Sequence, residues 1–214
     1  MIDLYTYYRS SCSYRVRIAL NFKGLDFRSL PVHLVKDGGE QHKSDYTVLN
    51  PKAEVPTLTD ENIMLSQSTA IFFYLDRKYL NPSLFPKQFP EFEHCLELVE
   101  IINSGIQPLQ NVSVLQKLVK DHKFTEEEKG NWCKYYITKG LLAYQKKIKN
   151  NSPFSMGDEP TAADMFLIPQ IHNAKRFGVD SNLIGPLLKI EKNCLELEAF
   201  QKAAPEAQPD APKQ

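Results

Sequence analysis

Residues Ser10 to Leu20 read Ser-Ser-Cys-Ser-Tyr-Arg-Val-Arg-Ile-Ala-Leu, gathering three hydroxyls and a thiol where the flanking pattern marks a strand-to-helix junction. The free N–H groups of a first helical turn, together with the helix dipole, favour an anion at such a place. A thiolate is the anion these side chains suit. An ordinary cysteine thiol has a pKa of about 8.5, so a hydroxyl donor at a helix start shifts it toward the thiolate. Ser10 is too weakly acidic to be a general base, and its task would be donation to the sulfur anion. Plain N-capping by Ser10 and Ser11 accounts for the same residues. Cys12, also at the helix start, has the position of a reactive thiol itself.

Two further pairs could hold an extended ligand. Val55-Pro56 stands at the entrance to a short strand, where the preceding backbone is free to pair with a peptide-like partner; its peptide bond is a candidate for the cis isomer. Gln67-Ser68 opens another helix, where N–H groups, hydroxyl and amide could receive a carboxylate, although an N-cap alone would read the same.

The elements that must position these residues fall into two patterns. Over the first 80 residues strand and helix alternate: strand 1–7, helix 11–23 closing at Gly24, strand 27–34, a polar stretch 36–49, a hairpin through Asp60-Glu61-Asn62, and a helix from Ser68. Prolines at 82, 86 and 90 then break the chain, predicting domains at 1–81 and 91–202 with a linker at 82–90. The second half carries helical stripes such as Phe92, Leu96, Val99 and Ile102, with no convincing strand. Thr161 to Asp164 spells a capping box ahead of a buried helix, which Pro169 should bend. Residues 203–214, rich in Ala, Pro, Gln and Lys, have little to bury and are expected to be a mobile tail. The fold class is thus α/β followed by all-α.

Composition removes several classes of function. Lys plus Arg and Asp plus Glu both total 26, so no net field recruits nucleic acid or an anionic membrane. No apolar stretch approaches the roughly 20 residues of a membrane span, and the N-terminus enters a strand without a leader. Cys12, Cys95, Cys133 and Cys194 form no C-x-x-C pair, and the histidines show no ligand spacing, which argues for reduced thiols, no disulfide framework and no metal. A cytoplasmic protein is the expectation.

Taken in order, the serine-rich strand end, the X-Pro hairpin, the Gln-Ser helix start and the all-helical half resemble the cytosolic glutathione transferases, with an N-terminal thioredoxin-like domain. Ser10 to Leu20, Asp37-Gly-Gly39 and Gly105 to Leu115 are similar to the zeta class, whose members act as maleylacetoacetate isomerases. Tyr14 stands where that class usually has Trp, which keeps an aromatic wall but changes its shape. The resemblance implies glutathione as cofactor, with Ser10, Ser11, Cys12, Ser13, Tyr14 and Arg15 at its thiol end. Gln41, Val55, Gln67 and Ser68 would hold the tripeptide, and Gln107, Asn111, Val112 and Ser113 would reach in from the helical domain. Ser10, Cys12 and Arg176 would be catalytic. Arg9, Arg15 and Arg176 are the cations available for a small dicarboxylate substrate, although Arg15 and Arg17 equally suit ion pairs within the fold.

In the implied reaction a thiolate adds to the cis double bond of a conjugated keto acid, the new single bond rotates, and the thiolate leaves, so that glutathione is not consumed. That places the protein in tyrosine and phenylalanine breakdown, as a homodimer. Three other readings stay open: a transferase that conjugates glutathione to small electrophiles or α-halo acids, a redox enzyme working through Cys12, and a non-catalytic interaction protein on the same fold.

Overall fold

The computed structural model describes residues 1–149 and 151–212, so Asn150 in the expected helical domain and Lys213 and Gln214 of the expected tail lie outside it. Strand β1 (Ile2–Thr6), helix α1 (Ser11–Phe22) and strand β2 (Phe27–Pro31) come first. Two 3-10 turns and the short α2 (Ser44–Thr47) lead to β3 (Thr57–Asp60), β4 (Ile63–Ser66) and α3 (Ser68–Lys78). The sheet order is β2-β1-β3-β4, with β1 parallel to β2 and antiparallel to β3, a thioredoxin-like arrangement. The parallel pair needs a crossover, which α1 supplies. On β1, Ile2, Leu4 and Thr6 face inward, and Leu4 meets the equally buried Leu58 in register. Pro31, with no N–H to give a ladder, ends β2 at the sheet edge; the predicted continuation to Leu34 is absent.

The chain divides into two compact units, one of Met1–Leu84 with the described residues from Glu196 onward, the other Phe85–Leu195. This corrects the expected boundaries. Residues 82–84 are not a loose linker: the Asp76 carboxylate accepts from the Leu84 N–H at 2.7 Å, and Lys23 Nζ donates to the carbonyls of Tyr79 and Pro82 at 2.6 Å each. The tail read as mobile is folded over its described length. Helix α9 (Glu198–Ala203) packs on α1 with Phe200 and Ala203 fully buried, and Gln208 Nε2 donates to the carbonyls of Lys202 and Ala204 at 2.9 Å. Its composition offers little apolar area, and it is held by polar bonds to Arg17 and Tyr8, 186 and 202 positions away, which local composition does not register.

The second unit consists of α4 (Glu91–Asn103), α5 (Val112–His122), α6 (Glu126–Gln145), α7 (Ala162–Arg176) and α8 (Gly185–Leu195), with short 3-10 turns. Helix α4 packs on α6 and α7 through Cys95, Leu98, Val99 and Ile102. At the start of α7 the buried Asp164 carboxylate accepts from the N–H groups of Thr161 at 2.9 Å and Ser155 at 2.8 Å, as the capping-box reading requires. Tyr144 closes this corner: its hydroxyl donates to the Ala163 carbonyl at 3.0 Å and lies 2.9 Å from Ser155 Oγ. The helix continues through Pro169.

Strand β3 is tied to the far end of α3 by Asp60, whose carboxylate accepts from Tyr79 at 2.7 Å and from Tyr74 and Lys78 at 2.9 Å each. Burial opposes its ionisation, but these three donors outweigh it and hold the carboxyl below the usual range. A lowered pKa in the fold means that the unfolded chain takes up the proton first as pH falls. The stabilisation is therefore complete above about pH 4 and fades below it. Asp60→Asn is expected to cost about 2 kcal/mol in urea unfolding at pH 7, and the two proteins should converge as the folded-state pKa is passed. A gap independent of pH would show that charge is not what Asp60 contributes.

Candidate functional site

Ser10 is the N-cap of α1, with extended backbone and its Oγ accepting from the Ser13 N–H at 3.2 Å. The cap uses a lone pair only. The hydroxyl proton has no acceptor among the described residues, so Ser10 can cap the helix and donate outward at once. Ser11 and Cys12 follow in the first turn, half-buried, whereas Cys95, Cys133 and Cys194 are buried free thiols. Burial pushes Cys133 up to about 11 and Cys194 higher still, which leaves both inert as nucleophiles at neutral pH.

The turn before Ser10 is closed by the Ser10 N–H donating to the Tyr7 carbonyl at 3.0 Å. Arg17, fully buried, holds it from behind: Nη1 reaches Thr6 Oγ1 at 3.0 Å and the Tyr7 carbonyl at 3.3 Å, and Nη2 the Tyr8 carbonyl at 3.0 Å. Burial pushes the Tyr7 phenol up to about 12, against the opposing charge of Arg9. Tyr7 thus stays protonated at neutral pH and takes no proton from a neighbour. Arg9 is half-exposed, its guanidinium 5.9 Å from the Tyr7 ring centre.

Ser13, Tyr14 and Arg15, expected at the thiol end, are buried. The Tyr14 ring lies 5.5 Å from the Arg17 guanidinium. Arg15, with no exposed surface, donates from Nη1 to Ser68 Oγ at 3.1 Å. It is placed to strengthen the positive end of α3. Tyr14 and Arg15 lie in a stretch of α1 that is buried from Ser13 to Leu20.

Val55-Pro56 is cis. The Val55 N–H and C=O make no hydrogen bond among the described residues, so both are available to an extended partner. This stretch is braced by Tyr46, whose hydroxyl donates to the Glu54 carbonyl at 2.6 Å and lies 2.9 Å from Thr57 Oγ1, and by Asn50 Nδ2, 2.7 Å from the same carbonyl. Sequence reasoning passed over Tyr46 and Asn50; a buried-type Tyr inside a polar stretch was the available signal.

Gln67 begins α3 with φ +73°, a strained value for a residue with a side chain, and no side chain caps this helix. Its first N–H groups, the exposed Gln67 amide and the unpartnered buried Thr69 hydroxyl stand together in front of Arg15 and Ser68. Such a cluster suits a carboxylate. Gln41 is buried with Nε2 3.3 Å from the Leu34 carbonyl, while its Oε1 has no partner, a vacancy that an N–H of a bound peptide would fill. The loop that sets it is fixed by Glu40, which accepts from the His33 N–H at 2.8 Å, and by Gly39, at φ +102°, where a Cβ would meet Gln41 Nε2 at 2.5 Å.

In the second unit Gln107 is half-buried on a 3-10 turn braced by Trp132 Nε1 donating to the Leu109 carbonyl at 2.8 Å. Asn111 caps α5, its Oδ1 accepting from the Ser113 N–H at 3.1 Å and Ser113 Oγ at 3.2 Å; Val112 is half-buried and Ser113 exposed. Arg176 ends α7, exposed, with its guanidinium 5.1 Å from the Phe177 ring centre. Among the described residues no group of three His, Cys, Asp or Glu could hold a metal ion.

Residues 1–77 match the family described as glutathione S-transferase, N-terminal domain. The chain is 43% identical to glutathione S-transferase Z1 of Arabidopsis thaliana, over 99% of this chain and 95% of that one. Its fold is similar to the holo structure of a maleyl pyruvate isomerase, a bacterial glutathione S-transferase of the zeta class, with TM-score 0.95, 37% identity, and 98% and 100% of the two chains covered. A maleylacetoacetate isomerase of Anaeromyxobacter dehalogenans 2CP-1 with glutathione bound is similar at TM-score 0.88 and 36% identity, over 99% and 98%.

Gly39→Ala should displace Gln41 and weaken glutathione about tenfold in isothermal titration, the loss of roughly one hydrogen bond. If Gly39→Ala and Gln41→Ala both bind as tightly as the parent, Gln41 is not a ligand.

Proposed function

Because the chain belongs to the zeta class of the glutathione S-transferases, we propose that it is a glutathione-dependent cis-trans isomerase converting maleylacetoacetate to fumarylacetoacetate. The observation that carries this reading is Ser10: its oxygen accepts the helix cap at a helix N-terminus, and its hydroxyl proton has no acceptor among the described residues. Glutathione fits the surrounding groups. The unused N–H and C=O of Val55 match its cysteinyl peptide, the start of α3 backed by Arg15 matches its γ-glutamyl carboxylate, and Gln41 Oε1 matches one of its N–H groups.

When bound, glutathione supplies a sulfur nucleophile whose reversible addition turns a cis double bond into one that rotates. Ser10 donates its O–H to that sulfur, and the first N–H groups of α1 add their dipole. Arg9 and Arg176, both with exposed surface, are the cations available to substrate carboxylates and to charge building on the conjugated carbonyl. Cys12 accompanies Ser10 in an accessory role. The same reading makes the protein a cytoplasmic homodimer in aromatic amino-acid breakdown. Maleylpyruvate, the substrate in the name of the similar maleyl pyruvate isomerase, is a second candidate substrate.

The test follows maleylacetoacetate and maleylpyruvate spectroscopically with substoichiometric glutathione. Many turnovers per glutathione with a trans product are expected, and the faster substrate names the specificity. Product that stops at one equivalent would replace isomerisation by conjugation. Ser10→Ala should lower kcat about 10- to 1000-fold, as loss of one anion donor does. Ser10→Asp keeps a cap but cannot donate, so it should hold stability and still lose turnover; an active Ser10→Asp enzyme would refute the donor role.

A further inference from the structure

The Ser10 turn is held by residues far outside it. The Tyr8 N–H donates to Asp210 Oδ2 at 2.9 Å across 202 positions of chain. The Tyr8 carbonyl accepts from Arg17 Nη2 at 3.0 Å, so both peptide groups of Tyr8, two residues before Ser10, are fixed. Arg17 Nη1 takes the Tyr7 carbonyl, the same oxygen that receives the Ser10 N–H. Arg17 Nε donates at 3.0 Å to the carbonyl of Ala203, the last residue of α9. Asp210 is set in turn by Gln208, buried and bonded to Lys202 and Ala204. The second oxygen of Asp210 is shielded from solvent and has no hydrogen-bond partner among the described residues, so its compensation comes from the Tyr8 bond and the charge of Arg17.

We propose that Asp210 and Arg17 are positioning residues for Ser10, making residues 203–210 part of the catalytic apparatus although none of them touches the reacting atoms. The inference rests on the isomerase reading. A peptide turn clamped at both its N–H and its C=O cannot rotate, and the direction in which Ser10 presents its proton follows from that turn. Release of the N–H leaves Tyr8 free to swing, and misplacement of a donor by an ångström is enough to slow chemistry substantially.

The experiment compares full-length Asp210→Ala and Asp210→Asn with the parent. Asn keeps an acceptor for the Tyr8 N–H and removes the charge. Asp210→Ala is expected to lower kcat about tenfold, to leave the KM for glutathione within about threefold because Val55, Gln67 and Ser68 are undisturbed, and to speed hydrogen exchange at the Tyr8 amide selectively. Asp210→Asn should recover most of the loss. In a Ser10→Ala background Asp210→Ala should have little further effect on kcat, since it acts through Ser10. Additive losses in that double variant, or exchange rising across the whole molecule without rescue by Asn, would overturn the proposal in favour of a purely structural role. Parental kcat and Tyr8 exchange in Asp210→Ala would overturn it outright. If the parent itself isomerises neither substrate, the functional reading has failed, and Tyr8 exchange still decides whether Asp210 holds the turn.

Discussion

A guanidinium with no exposed surface organises the N-terminal unit. Taking Arg17 out of water costs several kcal/mol unless its donors are satisfied. Four bonds do this, to Thr6 Oγ1 and the carbonyls of Tyr7, Tyr8 and Ala203. Burial pulls Arg17 down to about 10, with Asp210 among the charges opposing that shift, so the side chain stays cationic at neutral pH. The end of β1, the turn to α1 and the end of α9 are thus fixed to a single planar fork. None of them can move without leaving a buried charge short of a partner.

Arg15 complements Arg17 by pointing elsewhere. Two residues apart on a helix, their side chains leave α1 on different sides. One goes to Ser68 at the start of α3, the other to the β1 end and α9. A single helix therefore supports both ends of the proposed tripeptide site, with its own N-terminus exposed to sulfur and a buried cation behind the carboxylate cluster. Both cations have partners inside the fold.

The legible parts of the molecule were those coded locally. The alternation at Ile2 and Leu4, the Ser10 cap, the hairpin at Asp60 to Asn62 and the Thr161–Asp164 box each rest on residues within a few positions, and the structure contains them. What escaped was polar and remote. Arg15 and Arg17 were ambiguous because their partners lie at 68 and 203, and the tail looked idle because its attachments are carbonyls and one carboxylate. Gln41 was legible as a residue type, whereas the reason for its position, a Gly39 that tolerates no side chain, needed coordinates. Tyr14, an aromatic beside a polar motif, is buried in α1 with its ring 5.5 Å from the Arg17 guanidinium.

The discontinuous make-up of the first unit bears on how the protein is born. Its sheet and first three helices are synthesised early, but the carbonyl that completes Arg17 and the helix that covers α1 arrive more than 110 residues later. Until then a nascent chain carries a guanidinium without its full set of acceptors and an uncovered apolar face. The second unit, Phe85–Leu195, is continuous in sequence. Completion of the first unit therefore waits for residues that are synthesised after the second.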